Sequence, residues 1–197
     1  MNYIEKLQNL IMSNNGILLT KDVTEAGIPR VYIAKLVKQG VLEKLERGAY
    51  ITKDAFDDEM YRIQSKYPLL VFSHDSALFL HDLTDRDPLQ HTGTVPAGYN
   101  SKNIREIGVK VYSVKKELYE LGLTTAKTPF GRGIKTYDME RTICDILRSR
   151  YQMDIAVLTD SLKRYSKRKD KNLPKLMLYA ESFRVTKLLR SYMEVLL

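Results

Sequence analysis

The sequence predicts an α+β protein: an N-terminal winged helix-turn-helix, then a C-terminal domain with a small β-sheet followed by a helical, bundle-like segment. Three observations predict it. Apolar residues recur at helical spacing in three short runs before residue 40. A strand–turn–strand pattern follows at 41–52. From Asp138 the helical period returns and continues to the end. At 197 residues the chain suits one large domain or two small ones. The division expected is 1–60 as the winged helix-turn-helix and 61–197 as a second domain.

The first run is Ile4, Leu7, Leu10 and Ile11, one apolar face of a helix over about residues 2–13. Ser13-Asn14-Asn15-Gly16 ends it, with Gly16 suited to the left-handed cap. Thr20 sits where an N-cap belongs, and 21–26 make a short second helix stopped by Gly27. Ile28-Pro29 opens a third, because proline is well placed in a first turn. Ile33, Leu36 and Val37 are its buried stripe and Gly40 its end. Residues 41–45 read as a strand, Glu46-Arg47-Gly48 as a hairpin turn, and 49–52 as the returning strand. Three helices followed by a β-hairpin make a winged helix-turn-helix.

A recognition helix lies in the major groove and applies its N-terminal residues to base edges. The candidate DNA-binding residues are Arg30, Tyr32, Lys35 and Lys38 on the third helix, with Lys44 and Arg47 on the wing. Arginine grips guanine O6 and N7 bidentately, whereas lysines chiefly neutralise phosphates. Between residues 30 and 53 there are six basic and two acidic side chains. The reading surface is therefore cationic, although residues 1–60 as a whole carry 8 basic and 9 acidic groups.

The net charge of +8 favours an anionic partner, nucleic acid first. Its excess is C-terminal, where residues 148–197 hold 12 basic and 5 acidic side chains. A second basic patch is Lys163, Arg164, Lys167, Arg168, Lys169 and Lys171, at a helix end and in the loop beyond. Two readings stay open for it: a solvated helix end favoured by the helix dipole, or a second nucleic-acid or acidic-protein contact.

Between the two regions, 54–66 suits a connecting helix and Ser73 caps a helix over 74–81. Strands are expected at 94–96, 109–114, about 118–127 and 134–137, with a turn at 129–133. Asp138 caps a helix marked by Met139, Ile143, Ile146 and Leu147. Tyr151, Ile155, Leu158, Leu162 and Tyr165 mark the next. Pro174 opens one carrying Leu176, Met177, Tyr179 and Ala180, and Val185, Leu188, Leu189, Tyr192 and Leu196 mark the last.

Nothing argues for an enzyme, a cofactor or a metal. His74, His81 and His91 match no zinc spacing and read as surface or half-buried histidines. Cys144, the single cysteine, lies in an apolar helix stripe with no histidine near it, so packing is its expected role. Gly131-Arg132-Gly133 lacks the Gly-Lys-Ser/Thr of a phosphate loop. Asp82, Asp85 and Asp87 lack the glycine and closing glutamate of a calcium loop. Arg141 and Asp145 form a helical ion pair in the weaker orientation, of small expected worth. No apolar run nears the roughly 20 residues that span a bilayer, and residues 1–6 do not open a signal peptide. A cytoplasmic protein is expected.

The winged helix ending in Arg47-Gly48-Ala49-Tyr50 resembles the antitoxin component of the AbiE-type abortive-infection toxin–antitoxin systems. So do Phe72-Ser73-His74-Asp75-Ser76-Ala77-Leu78 with His81, the strand ending at Pro96, and Glu140-Arg141-Thr142-Ile143-Cys144-Asp145. The resemblance implies a bacterial transcriptional autorepressor that binds operator repeats through its N-terminal domain. It implies a C-terminal domain that neutralises a nucleotidyltransferase-like toxin, in a type IV system where the two proteins need not touch. The family's DNA-contact role carries over to Arg30, Tyr32, Lys35, Lys38 and Arg47, and no motif pins residues for neutralisation. Two further readings stand beside it. One is a non-enzymatic interaction module that binds an acidic partner through its basic C-terminal helices. The other is an RNA-binding protein, weakened by the lack of an RRM-type stacking motif.

Overall fold

A computed structural model describes residues 2–196, and side chains through Glu194. The chain divides into two compact units, 1–63 with 127–132, and 64–126 with 133–197.

The first unit opens with helix α1 (Tyr3–Ser13), strand β1 (Ile17–Leu19) and helix α2 (Thr20–Glu25). Helix α3 (Val31–Lys38) and the hairpin β2 (Leu42–Glu46) and β3 (Ala49–Thr52) follow. The sheet order is β1-β3-β2, antiparallel throughout. This is a winged helix, and it contains a strand absent from the sequence expectation. Ile17-Leu18-Leu19 is apolar at every position because both faces of β1 are covered. Leu18 packs with Leu7, Ile11, Val23, Ile28, Ile33, Leu36 and Leu42. Ile17 and Leu19 pack with Ala49 and Ile51 on the other side. A strand buried on both faces shows no alternation, so periodicity cannot reveal it.

Local chemistry sets the ends. The Glu5 carboxylate accepts from the Asn2 backbone N–H at 3.0 Å and closes the first turn of α1. Gly16 leaves α1 with φ +88°, and its N–H donates to the Ile11 carbonyl at 2.8 Å. A Cβ there would lie 2.3 Å from the Ala55 Cβ, so the turn admits only glycine. Thr20 is the first residue of α2 rather than its cap, and its N–H donates to Gly48 at 2.8 Å. Helix α3 starts two residues after Pro29, whose carbonyl accepts from Tyr32 N–H at 3.1 Å.

Residues 128–132, the turn of a later hairpin, belong to this first unit. There the Arg132 guanidinium donates to the carbonyls of Asn14 (3.0 Å) and Asn15 (2.7 Å) and to Asp58 (3.2 Å). Asp58 also accepts from Thr128 Oγ1 at 2.6 Å. Phe56 and Phe130 stack with centroids 6.0 Å apart over a cavity of about 430 Å³ that Asn15, Pro129 and Arg132 also line.

Helix α4 (Glu59–Lys66) is shorter than the 54–66 expected. The second unit then runs β4 (Val71–Phe72), α5 (His74–Leu80), β5 (Thr92–Pro96), α6 (Lys102–Glu106), β6 (Lys110–Val114), α7 (Lys116–Tyr119), β7 (Leu123–Lys127) and β8 (Gly133–Tyr137). Its sheet has the order β6-β5-β4-β8-β7, mixing parallel and antiparallel pairs. The strand expected over about 118–127 is in fact α7, a turn and β7, because Gly122 takes φ +76° and breaks the run. Helices α8 (Met139–Arg148), α9 (Ile155–Lys167), α10 (Leu173–Ser182) and α11 (Thr186–Leu196) complete the chain. Ile143, Ile146, Leu147, Leu158, Leu162, Tyr165, Leu176, Tyr179 and Leu189 form their shared core.

One detail corrects the sequence expectation for these helices. Helix α9 starts at Ile155 under an Asp154 cap, so Tyr151 and Ile155 are exposed rather than part of its buried stripe. The side chain of Leu196, assigned to the last stripe, lies outside the described residues. Among the described residues no helix is long and apolar enough to cross a membrane.

Three polar groups of this unit are more buried than their sequence context indicates. Arg141 and Asp145 pair at 3.1 Å in the interior. Arg141 also donates to the carbonyls of Leu118 (2.5 Å) and Leu121 (2.7 Å) and lies 4.1 Å from the ring centroids of both Tyr137 and Phe183. Removing one partner of such a pair strands the other charge, so the small worth assigned to it does not hold. His74 is buried too, against the expectation of a surface or half-buried histidine. It stacks on Tyr112 (3.5 Å) and contacts the hydroxyls of Ser73 (2.9 Å) and Ser149 (3.0 Å). Burial pushes its pKa down to about 3. Cys144 is buried and free, its thiol pushed up by burial.

Candidate nucleic-acid interface

The helix-turn-helix consists of α2, the turn at 26–30 and α3. Ile33 and Leu36 anchor α3 in the core, with Val37 and Tyr32 packed at its margins. At about 100° per residue, Val31, Ala34, Lys35 and Lys38 fall within one arc of about 100° on the side opposite those anchors. All four are exposed. The helix carries no acidic residue. Arg30, its N-terminal flanking residue, is exposed, and its guanidinium donates to Thr24 Oγ1 at 3.4 Å.

Tyr32 sits apart from that arc. It is half-buried and its ring lies 5.3 Å from that of Tyr3. Its position serves packing of α1 against α3 more than contact with a ligand over the exposed face. Val31 and Ala34 were not singled out from sequence, since an apolar residue in a helix reads first as core. The signal was present: they lie opposite Ile33 and Leu36 on the helical wheel.

On the wing, Glu46 pairs with Ala49 across the turn, which leaves Arg47 exposed at the tip with Gly48 at φ +87°. Lys44 is exposed on β2. Glu46 would oppose an anionic ligand, but Arg62 holds it at 2.7 Å. Arg62 also grips Asp57 through two bonds of 2.6 and 2.9 Å, and these carboxylates raise its pKa. Arg62 thus offsets acidic charge beside the wing and leaves Arg47 to set the sign of the tip.

The second basic patch is divided by its own contacts. Arg164 is bonded to Asp85 and Asp160, and Arg168 to Asp170. The Lys171 ammonium donates to the carbonyls of Ser166 (2.8 Å) and Arg168 (3.2 Å) at the end of α9, a helix-capping role. Lys163, Lys167 and Lys169 are exposed and form no ion pair among the described residues. No group of three or more His, Cys, Asp or Glu is placed to hold a metal among the described residues.

Residues 5–52, from α1 through β3, match the family model described as a transcriptional regulator, AbiEi antitoxin. The resemblance read from the sequence is thereby supported for the winged-helix segment. Comparison with curated proteins gives no match. Among solved structures, the chain is similar to the crystal structure of RV2827C protein from Mycobacterium tuberculosis. The two share 17% identity with a TM-score of 0.62, over 96% of this chain and 77% of that one. At that identity the likeness is one of fold.

Proposed function

We propose that the chain is a DNA-binding antitoxin that represses its own toxin–antitoxin operon. In this reading residues 1–60 bind operator DNA, arranged as inverted repeats that seat two copies. Residues 61–197 act in neutralising a cognate nucleotidyltransferase-like toxin without direct contact, in the bacterial cytoplasm and without catalysis. One observation carries the reading: the segment that matches the AbiEi regulators is a winged helix whose recognition helix is free of acidic residues and exposes Lys35 and Lys38. Arg30, Arg47 and Lys44 extend the same cationic surface, and Tyr32 supports it from the core side.

The experiment is a promoter–reporter fusion with the full chain supplied in trans, beside growth rescue on induction of the adjacent gene. Repression lost in Arg30→Ala with growth rescue retained supports two separable roles. Unchanged reporter output with and without the protein overturns the repressor role. The exposed Lys163, Lys167 and Lys169 favour a second reading, docking on an acidic partner. Rescue lost in Lys163→Glu and Lys167→Glu, with repression intact, would favour it.

A further inference from the structure

The exposed face of α3 is not uniformly cationic, and its apolar half is its N-terminal half. Val31 is 68% exposed and Ala34 is exposed beside it, whereas Lys35 and Lys38 occupy the C-terminal part of the same arc. An exposed branched side chain is an unfavourable choice for a helix surface, since it neither packs nor solvates well. Tyr32, between Val31 and Ile33, turns instead into the core margin. Two methyl-bearing side chains one turn apart, flanked by Arg30 and two lysines, suit one surface in particular. The floor of the major groove offers an apolar group, the thymine C5-methyl, among polar edges and below two rows of phosphates.

We propose that Val31 and Ala34 read thymine methyl groups in the operator, beside a guanine held by Arg30, while Lys35 and Lys38 hold the flanking phosphates. The proposal rests on the DNA-binding reading above and specifies what that surface selects. A recognition helix applies its N-terminal residues to bases, which is where the apolar pair lies. The lysines further along have the reach and charge for the backbone rather than the base edges. The preferred half-site therefore contains G and T within one helical turn's reach, and its preference for T is lost when the methyl alone is removed.

The test uses duplexes enriched by the full chain from a random-sequence pool. Each thymine of the winning half-site is replaced singly by deoxyuridine, which deletes only the methyl. Binding of wild type should fall about fourfold at one or two positions, the worth of one buried methyl group. Val31→Ala keeps the fold because the position is exposed and alanine favours the helix. It should lose a similar factor on thymine DNA and little more on the deoxyuridine duplex, because both changes delete the same contact. Sequence-specific binding unaffected by every replacement overturns the methyl reading and leaves DNA binding standing. A pool from which nothing is enriched overturns both.

Discussion

The Arg132 guanidinium, 5% exposed as a residue, meets three backbone carbonyls and the Asp58 carboxylate inside the first unit. Arg132→Ala leaves Asp58 buried without its cation and should cost about 3–5 kcal/mol in urea unfolding. Arg132→Lys should rescue little, because one ammonium cannot span a fork of acceptors. A loss below about 1 kcal/mol would show the site to be wetter than its burial implies. His74 gives a second residue-scale outcome. Its folded pKa of about 3 lies below that of an unfolded histidine, so the unfolded chain binds the extra proton. Its contribution is therefore complete above about pH 6.5 and is lost as pH falls toward 3, by a few kcal/mol in all. Asp75 and Asp145, raised by burial, act in the opposite sense. The comparison is thus between wild type and His74→Asn, a residue that tolerates the φ of +50° found there. Parallel stability–pH curves for the two proteins would contradict the assignment.

At the scale of elements, the proposed reading has α3 divide its work between bases and phosphates. Arg30→Ala should weaken operator binding by about 1–3 kcal/mol and relax preference at one base pair. Lys35→Ala and Lys38→Ala should each weaken all sequences alike and reduce the salt slope by about one. Equal losses from Arg30→Ala on operator and random DNA would remove it from base reading. Arg62→Ala should weaken binding as well, because Glu46 and Asp57 lose their shared cation. The double variant with Glu46→Gln should recover it, and no recovery would point to a packing role. The elements were legible where each had one buried face and its own punctuation, as in α1, α3, the wing and α8. They were illegible where burial was two-sided, as in β1, or where the element was very short, as in β4, α6 and α7. The cationic half of the candidate interface was legible because lysine and arginine announce themselves. Its apolar half was not, since only the position of Val31 and Ala34 opposite Ile33 and Leu36 separates them from core.

On the scale of the whole molecule, sequence distance hides one connection that bears on experiment. Residues 127–132 belong to the first unit, and Arg132, Thr128 and Phe130 find their partners at Asn14, Asn15 and Asp58. Nothing in the local sequence joins positions 70 to 118 residues apart, and the turn at 129–133 reads as an ordinary hairpin. A truncation that deletes 1–60 would strip those partners and leave a buried arginine exposed. Function is therefore best separated by point substitutions in the full chain. Substituting Lys163, Lys167 and Lys169 by alanine should leave the salt slope of DNA binding unchanged, which titration at several salt concentrations reads directly. A slope reduced by about three would instead place the patch on the DNA.

The most direct measurement is a gel-shift titration of the full chain on the DNA upstream of its own gene, beside a scrambled duplex, at two salt concentrations. Tight binding to the upstream DNA is expected, with at least tenfold weaker binding to the scrambled duplex at both salts and a smaller ratio between the two in Arg30→Ala (about 1.4 kcal/mol per tenfold). Weak binding, equal on both duplexes and collapsing together as salt rises, would contradict it and reduce the basic surface to a general polyanion contact.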